Sequence, residues 1–196
     1  EELYRKKGRD AAVGFLTQAR EKLSGQTIRI DSRLRSFQLV GEPAPELTSA
    51  ITWVNGESVS LNPRKGSPVV LEFWAPWCAT CQAALPNVKA LHRDYEDSGI
   101  HIVALTRLYG SYRDDQIQVG PVPPSKERQH IIEFVDRHDI DYTVGIADTK
   151  EPYQSYGVSS IPTFYLIDGN GRVADVWFGS GDEMFRQIRL RLNDLL

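Results

Sequence analysis

The sequence has only two cysteines in 196 residues, Cys78 and Cys81, and two residues separate them. A single close pair is not the set of several disulfides that holds small secreted domains together. The chain also lacks any apolar run near the roughly 20 residues that a membrane span needs, and its first residues lack the apolar core of a signal peptide. We therefore expect neither a disulfide scaffold nor a membrane-spanning segment in this chain.

The chain also has little net charge, with a formal value of −3. This balance gives no reason to expect binding to nucleic acid or to an anionic membrane surface. The four histidines are scattered without the spacing of metal ligands, and there is no second cysteine pair. We expect no metal site and no bound cofactor. A hydrophobic content of 41% and a charged content of 25% are typical of an ordinary globular protein.

The stretch 69–81 organises the rest of the chain. A run of strand-favouring apolar residues ends in a proline-containing turn, and the two cysteines follow where a helical pattern begins. Cys78 is therefore expected at a helix N-terminus, where unpaired N–H groups and the helix dipole favour a thiolate. Cys81 lies one helical turn later, close enough to form a disulfide with Cys78. The alternatives are an inert buried pair or half of a zinc site.

The periodicity after residue 68 predicts an α/β domain with a mixed central sheet and helices on both faces. The elements alternate as strand, helix, strand, helix, strand, short helix, hairpin and helix. The predicted strands cover 69–74, 100–105, 143–147, 163–167 and 172–178, and the predicted helices cover the stretch after Cys78, 125–137, 151–156 and the C-terminal end.

The part before the central strand is expected to add a helix and a hairpin. An apolar stripe of Ala12, Phe15, Leu16, Ala19 and Leu23 predicts an N-terminal helix over 3–23, ended by Ser24-Gly25. We expect this helix to dock on the main domain. The alternative is a helix that binds a partner or forms a dimer. Two strand-like runs at 51–54 and 58–61 flank Asn55-Gly56 and predict an N-terminal β-hairpin, followed by a polar loop over 63–68. The predicted division is a helical extension at 1–37 and a domain at 38–196.

A long polar segment over 109–124 contains several glycines and prolines. We predict an irregular loop there. Loops of this length are uncommon in compact domains unless they are functional or mobile. The segment is therefore either a surface that contacts a partner or a mobile insertion without function.

Two motifs that lie far apart in the sequence resemble the thioredoxin superfamily: the stretch 73–81, which contains the cysteine pair, and Ile161-Pro162-Thr163. The segment 41–47 and the hairpin ahead of the central strand narrow the resemblance to the TlpA/ResA-like thiol–disulfide oxidoreductases. The resemblance covers residues 38–196. It implies a thioredoxin fold and a dithiol–disulfide exchange activity.

The resemblance also implies roles for individual residues. Cys78 matches the attacking cysteine and Cys81 the resolving cysteine. Pro162 matches a cis-proline beside the pair, and the backbone of Ile161 is then available to pair with an extended substrate segment. Trp77 matches the aromatic residue next to the attacking thiol. We therefore expect Trp77, Ile161 and Pro162 to contact the substrate.

The chain departs from the family pattern at two positions. Many members have proline just before the second cysteine, where this chain has Thr80. The residues between the cysteines influence the reduction potential, so the resemblance does not indicate its value. ResA-like members often have a glutamate where this chain has Ala84, whereas Glu72 in the central strand matches the buried acid of thioredoxin. We predict that burial raises the proton affinity of Glu72 and that it takes the proton of Cys81, directly or through water. The alternative for Glu72 is a carboxylate that reaches solvent or forms a structural salt bridge.

We therefore predict a thiol–disulfide oxidoreductase that acts on protein substrates, as a reductase. One alternative is a peroxidase of the peroxiredoxin type, although such enzymes have Thr or Ser where this chain has Ala75. Another is a copper-binding module, although such proteins space their cysteines by three residues. The expected partners are disulfide-containing proteins and a thiol electron donor, with the protein acting as a monomer. The resemblance implies a periplasmic or otherwise extracytoplasmic location, with any membrane tether outside this chain.

Overall fold

The structure is a computed structural model that describes residues 1–23, 27–48, 50–61 and 67–196. The helices in this part are α1 (Glu2–Lys22), α2 (Ile28–Gln38), α3 (Ala79–Tyr95), α4 (Pro124–Arg137), α5 (Glu151–Ser155) and α6 (Asp182–Asn193), with a 3₁₀ turn at Glu96–Ser98. The strands are β1 (Ile51–Val54), β2 (Val69–Phe73), β3 (His101–Arg107), β4 (Ser111–Arg113), β5 (Gln118–Pro121), β6 (Thr143–Ala147), β7 (Thr163–Ile167) and β8 (Val173–Phe178). None of these helices combines the length and the apolar character that crossing a bilayer requires.

Six of the strands form one mixed sheet in the order β1-β6-β3-β2-β7-β8. Strand β2 is parallel to β3, β3 is parallel to β6, and the pairs β1–β6, β2–β7 and β7–β8 are antiparallel. All five residues of β2 are buried, as expected for a central strand covered on both sides. The predicted thioredoxin-type sheet with helices on both faces is confirmed.

Alternation along β2 divides the core into two layers, because successive side chains of a strand point to opposite faces. Val70 and Trp74 pack in a first cluster with both cysteines and with residues of α3, α4 and α6. Leu71 and Phe73 pack in a second cluster with residues of α1, α2 and α5. Glu72 lies two residues from Val70 and two residues from Trp74, so its side chain points to the same face and into the first layer.

The N-terminal helix forms as predicted, but its apolar stripe does not become a continuous buried face. Gly8, with a φ of 81°, interrupts the helical backbone and divides α1 into two segments. Ala12 is buried, whereas Phe15 and Leu23 are 62% and 56% exposed. The two segments have different directions, so a stripe drawn on one straight helix does not meet one surface.

The helix α2, which packs against α1, is an addition to the predicted elements. Its Phe37 is buried and stacks on Tyr4 of α1 at 4.7 Å between ring centroids. The predicted helix end at Ser24-Gly25 and most of the predicted loop over 63–68 lie outside the described residues.

The predicted N-terminal β-hairpin is wrong. Strand β1 forms, and Asn55 takes a left-handed φ of 59°. However, β1 pairs with β6 and not with the segment 58–61, which has no strand. Val59 and Leu61 of that segment are buried in the second cluster. The free edge of β6 outcompetes the local partner because pairing there adds β1 to a sheet that is already buried.

The segment 109–124 is more regular than predicted. Strands β4 and β5 pair antiparallel and form a hairpin, which we call the 111–121 hairpin. Asp114 stabilises its turn by accepting hydrogen bonds from the N–H groups of Gln116 and Ile117. Helix α4 then begins at Pro124, one residue before the predicted start. Proline suits this first position because the first N–H groups of a helix have no partner within the helix.

Candidate active site

The two cysteines form a disulfide at the N-terminus of α3, with 5.2 Å between their Cα atoms. Cys78 is the N-cap residue, and its Sγ accepts a hydrogen bond of 3.2 Å from the N–H of Cys81. Cys78 is 6% exposed and Cys81 is 1% exposed. Cys78 is therefore the more accessible residue of the pair, and it lies where the helix dipole favours negative charge.

The second motif lies directly opposite this helix end. Strand β7 is paired with β2 so that Thr163 is opposite Phe73, and this register brings the preceding residues next to the cysteines. The Ile161–Pro162 peptide bond is cis, as expected. The Sγ of Cys78 lies 3.7 Å from the carbonyl oxygen of Ile161. Two motifs 80 residues apart in the sequence thus meet at one edge of the sheet.

An aromatic and cationic rim borders the cysteines. The ring of Trp77 packs edge-on against Tyr109, with 5.3 Å between centroids, and the guanidinium of Arg107 lies 3.8 Å from the centre of the Tyr109 ring. Trp77, Arg107, Tyr109 and Ile161 line a depression of 180 Å³. Arg107 and Tyr109 are not among the site residues that the sequence predicts. The available signal was the position of Arg107 at the carboxyl end of β3, the parallel neighbour of β2.

A buried carboxylate fixes the backbone of this rim. Glu127 of α4 is 1% exposed, and it accepts hydrogen bonds of 2.6 Å and 2.8 Å from the N–H groups of Tyr109 and Gly110. Glu127 therefore holds the start of the 111–121 hairpin next to Trp77. Nothing in the local sequence indicates this role, because a glutamate in the first turn of a helix is ordinary.

Tyr153 of α5 supports the same edge from the second layer. Its hydroxyl lies 2.8 Å from the carbonyl oxygen of Trp74 and 3.0 Å from that of Leu105, and it donates its proton to one of them at a time. Trp74 directly follows β2, and Leu105 lies near the end of β3, the strands that lead to Cys78 and Arg107. Burial raises the pKa of Tyr153 well above its usual value, so the hydroxyl stays neutral.

Glu72 is 2% exposed, and burial raises its pKa to about 8. Desolvation of the carboxyl group causes this rise in pKa, as predicted. Its neighbours across the sheet are Ala104 and Phe164. The carboxyl group points into the layer that contains Cys78 and Cys81. An acid with this pKa exchanges its proton in the same pH range as a thiol.

Within the described residues, no group of three or more His, Cys, Asp and Glu side chains is arranged to hold a metal ion. The chemistry that this arrangement supports is exchange between a dithiol and a disulfide. The fold and the site define a thioredoxin-like protein with a cysteine pair able to cycle between these two states.

Comparisons with known proteins place the chain in a family. A family model described as Redoxin matches residues 39–185, and the chain belongs to this family. The thiol-disulfide oxidoreductase ResA of Bacillus thuringiensis subsp. konkukian (strain 97-27) is 29% identical over 134 residues, which are 68% of this chain and 66% of that protein. The thioredoxin-like protein YneN of Bacillus subtilis (strain 168) is 29% identical over 78% of this chain and 79% of that protein. The match therefore spans just under two thirds of the ResA relative.

Solved structures agree on the fold. A thioredoxin-like protein in its oxidised form has a TM-score of 0.58 and 25% identity, over 78% of this chain and 93% of that one. A putative thiol:disulfide interchange protein DsbE from Chlorobium tepidum has a TM-score of 0.59 and 21% identity, over 79% of this chain and 97% of that one. The expected thioredoxin-superfamily, ResA-like character of the chain is confirmed.

Proposed function

We propose that this protein is a thiol–disulfide oxidoreductase that acts as a reductase of protein disulfides. The observation that supports this most strongly is the position of the cysteine pair. Cys78 is the more accessible cysteine of the pair, lies at the N-terminus of α3 and has its Sγ 3.7 Å from the carbonyl oxygen of Ile161. The names of the ResA relatives support the same activity.

In the reduced protein, the Cys78 thiolate attacks one sulfur of a substrate disulfide. The substrate S–S bond breaks, and its other sulfur leaves as a thiolate that takes up a proton. Cys81 then loses its proton and attacks Cys78, which forms the Cys78–Cys81 disulfide and releases the second substrate sulfur as a thiolate. Two electrons pass from the dithiol to the substrate. A thiol donor restores the pair by the reverse exchange.

Glu72 is the proposed acceptor of the Cys81 proton. A carboxylate with a usual pKa is a weak base toward a thiol, whereas one with a pKa of about 8 matches the thiol closely. The transfer is direct or passes through one water. In the reverse direction, protonated Glu72 returns the proton as the sulfur of Cys81 leaves.

Trp77 and the backbone at Ile161 and Pro162 are the proposed substrate contacts. Trp77 and Ile161 line the depression next to Cys78. The free edge of an extended segment is a common place for a substrate strand to pair. The residues that position the cysteines are therefore also those that a substrate backbone meets first.

The proposal extends to organisation and location. Residues 1–37 form a helical extension, which packs through α1 and α2 on the second layer of the core, and residues 38–196 form the catalytic domain. Disulfide-containing proteins and a thiol donor are the partners, and the protein acts as a monomer. An extracytoplasmic site of action rests on the family resemblance alone.

Insulin reduction in the presence of dithiothreitol tests the activity. The wild type should accelerate it, and Cys78→Ser should lower the rate to background. Cys81→Ser should accumulate a mixed disulfide that mass spectrometry detects. Equal rates for wild type and Cys78→Ser would remove the proposal, as would rapid consumption of peroxide without disulfide exchange. A low reduction potential in dithiothreitol or glutathione buffers supports the reductase direction, and a high one contradicts it.

A further inference from the structure

Three depressions lie side by side next to the cysteine pair, and each shares lining residues with its neighbour; we call the three together the active-site groove. The hairpin lobe, of 520 Å³, lies against the 111–121 hairpin. It shares Trp77 and Tyr109 with the central lobe of 180 Å³. The central lobe shares Tyr153, Val158 and Ser159 with the helix lobe of 550 Å³, which lies between α2 and the segment after α5.

The groove extends to both sides of its central lobe, which lies next to the reacting sulfur. Ile161 lines the central lobe, and its carbonyl oxygen lies 3.7 Å from the Sγ of Cys78. The central lobe has the volume of a single side chain, whereas each outer lobe has room for several. A polypeptide with its cysteine at Cys78 therefore has space for its flanking residues in both directions.

The groove is lined by positive charge. Arg113 lies in the hairpin lobe, Arg107 in the central lobe, and Arg29 and Arg35 in the helix lobe. The only acidic side chain among the residues that line these lobes is Asp31, and it is already paired with an arginine of α1. The described part of the chain thus presents four guanidinium groups along the groove, although the whole protein has a net charge of −3.

No ion pair within the described residues joins any of these four arginines to a carboxylate. Arg107 donates to the carbonyl oxygen of Leu108 and stacks on Tyr109, and Arg35 donates to the carbonyl oxygen of Ser155. Each of these contacts leaves further N–H groups of the guanidinium available, because arginine has five donors. Cationic groups without acidic partners favour an anionic occupant.

We propose that the active-site groove binds extended, acidic polypeptide segments on both sides of the substrate cysteine. The inference rests on the proposed function and names its substrate class. Trp77 and Tyr109 provide apolar contact beside the reacting sulfur, and Ile28, which is 75% exposed, provides it in the helix lobe. Helix α2 of the N-terminal extension thereby forms one wall of the substrate site.

The test uses two disulfide-linked peptides of the same sequence except for their flanking residues, which are Asp and Glu in one and Lys in the other. Neutral hydroxyethyl disulfide is the third substrate. The wild type should have a clearly higher kcat/KM for the acidic peptide, and the preference should fall in 0.5 M salt, where the Debye length is only about 4 Å. Equal kcat/KM values for the two peptides at low salt would overturn the inference.

Variants locate the preference. We call the kcat/KM for the acidic peptide divided by that for the basic peptide the acidic-to-basic ratio. Arg29→Gln and Arg113→Gln should each lower this ratio by about two-fold to five-fold, the range for exposed charge pairs. The charge-conserving Arg29→Lys and Arg113→Lys should keep most of it. The matched control Arg186→Gln removes a cation on α6, away from the groove, and should leave the ratio unchanged. A ratio that falls as much in Arg186→Gln as in the groove variants contradicts the proposal.

Two further outcomes separate this inference from the proposed function. Cysteine-dependent turnover of hydroxyethyl disulfide together with an acidic-to-basic ratio near one removes the inference and leaves the oxidoreductase activity in place. Absence of turnover with all three substrates removes both. Stronger inhibition by single-stranded DNA than by an acidic peptide without cysteine indicates a nucleic-acid site and also overturns the inference.

Discussion

The two faces of the central sheet bury ionisable groups with opposite consequences. On the first face, burial raises the pKa of Glu72 to about 8. On the second, it raises the pKa values of Tyr156 and Tyr165 far above the working range, and their hydroxyls donate to the carbonyl oxygens of Pro45 and Tyr156. The same desolvation brings an acid into the range where it responds to pH and takes a phenol out of that range. Glu72 therefore gives the first face a group suited to proton transfer, whereas Tyr156 and Tyr165 on the second face serve to hold the fold.

Among the substitutions that test this comparison, the replacement of Glu72 should change the stability of the protein most. The folded pKa of about 8 lies above the unfolded value of 4.5, so the native protein retains a proton that the unfolded chain releases. The stability of the wild type should therefore fall as pH rises from about 4.5 to about 8. Glu72→Gln has no such proton, so its stability relative to the wild type should rise by about 4 kcal/mol between pH 5 and pH 9.

Urea unfolding of the oxidised proteins at both pH values measures this difference. The pH 5 comparison is the internal control, because Glu72 is neutral there in the native state. Parallel stability profiles for the wild type and Glu72→Gln would mean that the carboxyl group is not desolvated. In the activity assay, Glu72→Gln should slow the resolution of the mixed disulfide.

The contact between α1 and the edge strand β8 should depend most on Asp175. Its carboxylate accepts from the hydroxyl of Tyr4 at 2.5 Å and from Arg5 at 2.9 Å, and so joins α1 to β8. Asp175→Asn leaves a partly buried guanidinium without its counter-charge and should cost about 3 kcal/mol. Urea unfolding and hydrogen exchange of α1 measure the effect. Glu42→Gln, which removes the exposed Arg9–Glu42 pair, is the control and should cost less than about 1 kcal/mol; equal costs would contradict the assignment.

Glu127→Gln tests whether the rim depends on its buried acceptor. A glutamine amide presents an NH₂ group to one of the two N–H donors of Tyr109 and Gly110, so we expect a loss of about 2 kcal/mol. Faster hydrogen exchange at these two amides and a higher KM for peptide disulfides should accompany it. Glu133→Gln, at an exposed position of the same helix, is the matched control. Unchanged exchange at Tyr109 in Glu127→Gln would show that the hairpin is held by other contacts.

The smallest effect is expected from Tyr165→Phe. It removes one neutral hydrogen bond, that to the carbonyl of Tyr156, and should cost about 1 kcal/mol. Because this phenol stays neutral, the cost should be the same at pH 5 and pH 9. A cost that changes with pH would place a titrating group on the second face and end the contrast between the two faces.

Much of the domain follows from local patterns. The strands 143–147 and 163–167 have their predicted bounds, and the cysteine pair is at the helix N-terminus where the strand-to-helix pattern predicts it. These features depend on periodicity and on turn residues that act over a few positions. The predicted burial of Glu72 is also a local inference, because every neighbour of it in the strand is apolar.

The sequence by itself determined the alternation of strands and helices, the position of the cysteine pair and the motif around Pro162, since each depends on residues that are adjacent in the chain. Tertiary structure alone decided that β1 pairs with β6, that Gly8 divides α1, and that Arg107, Tyr109 and Glu127 surround the site. Such choices depend on which distant surfaces become available as the sheet assembles. A local pattern does not contain the free energy of those competing contacts.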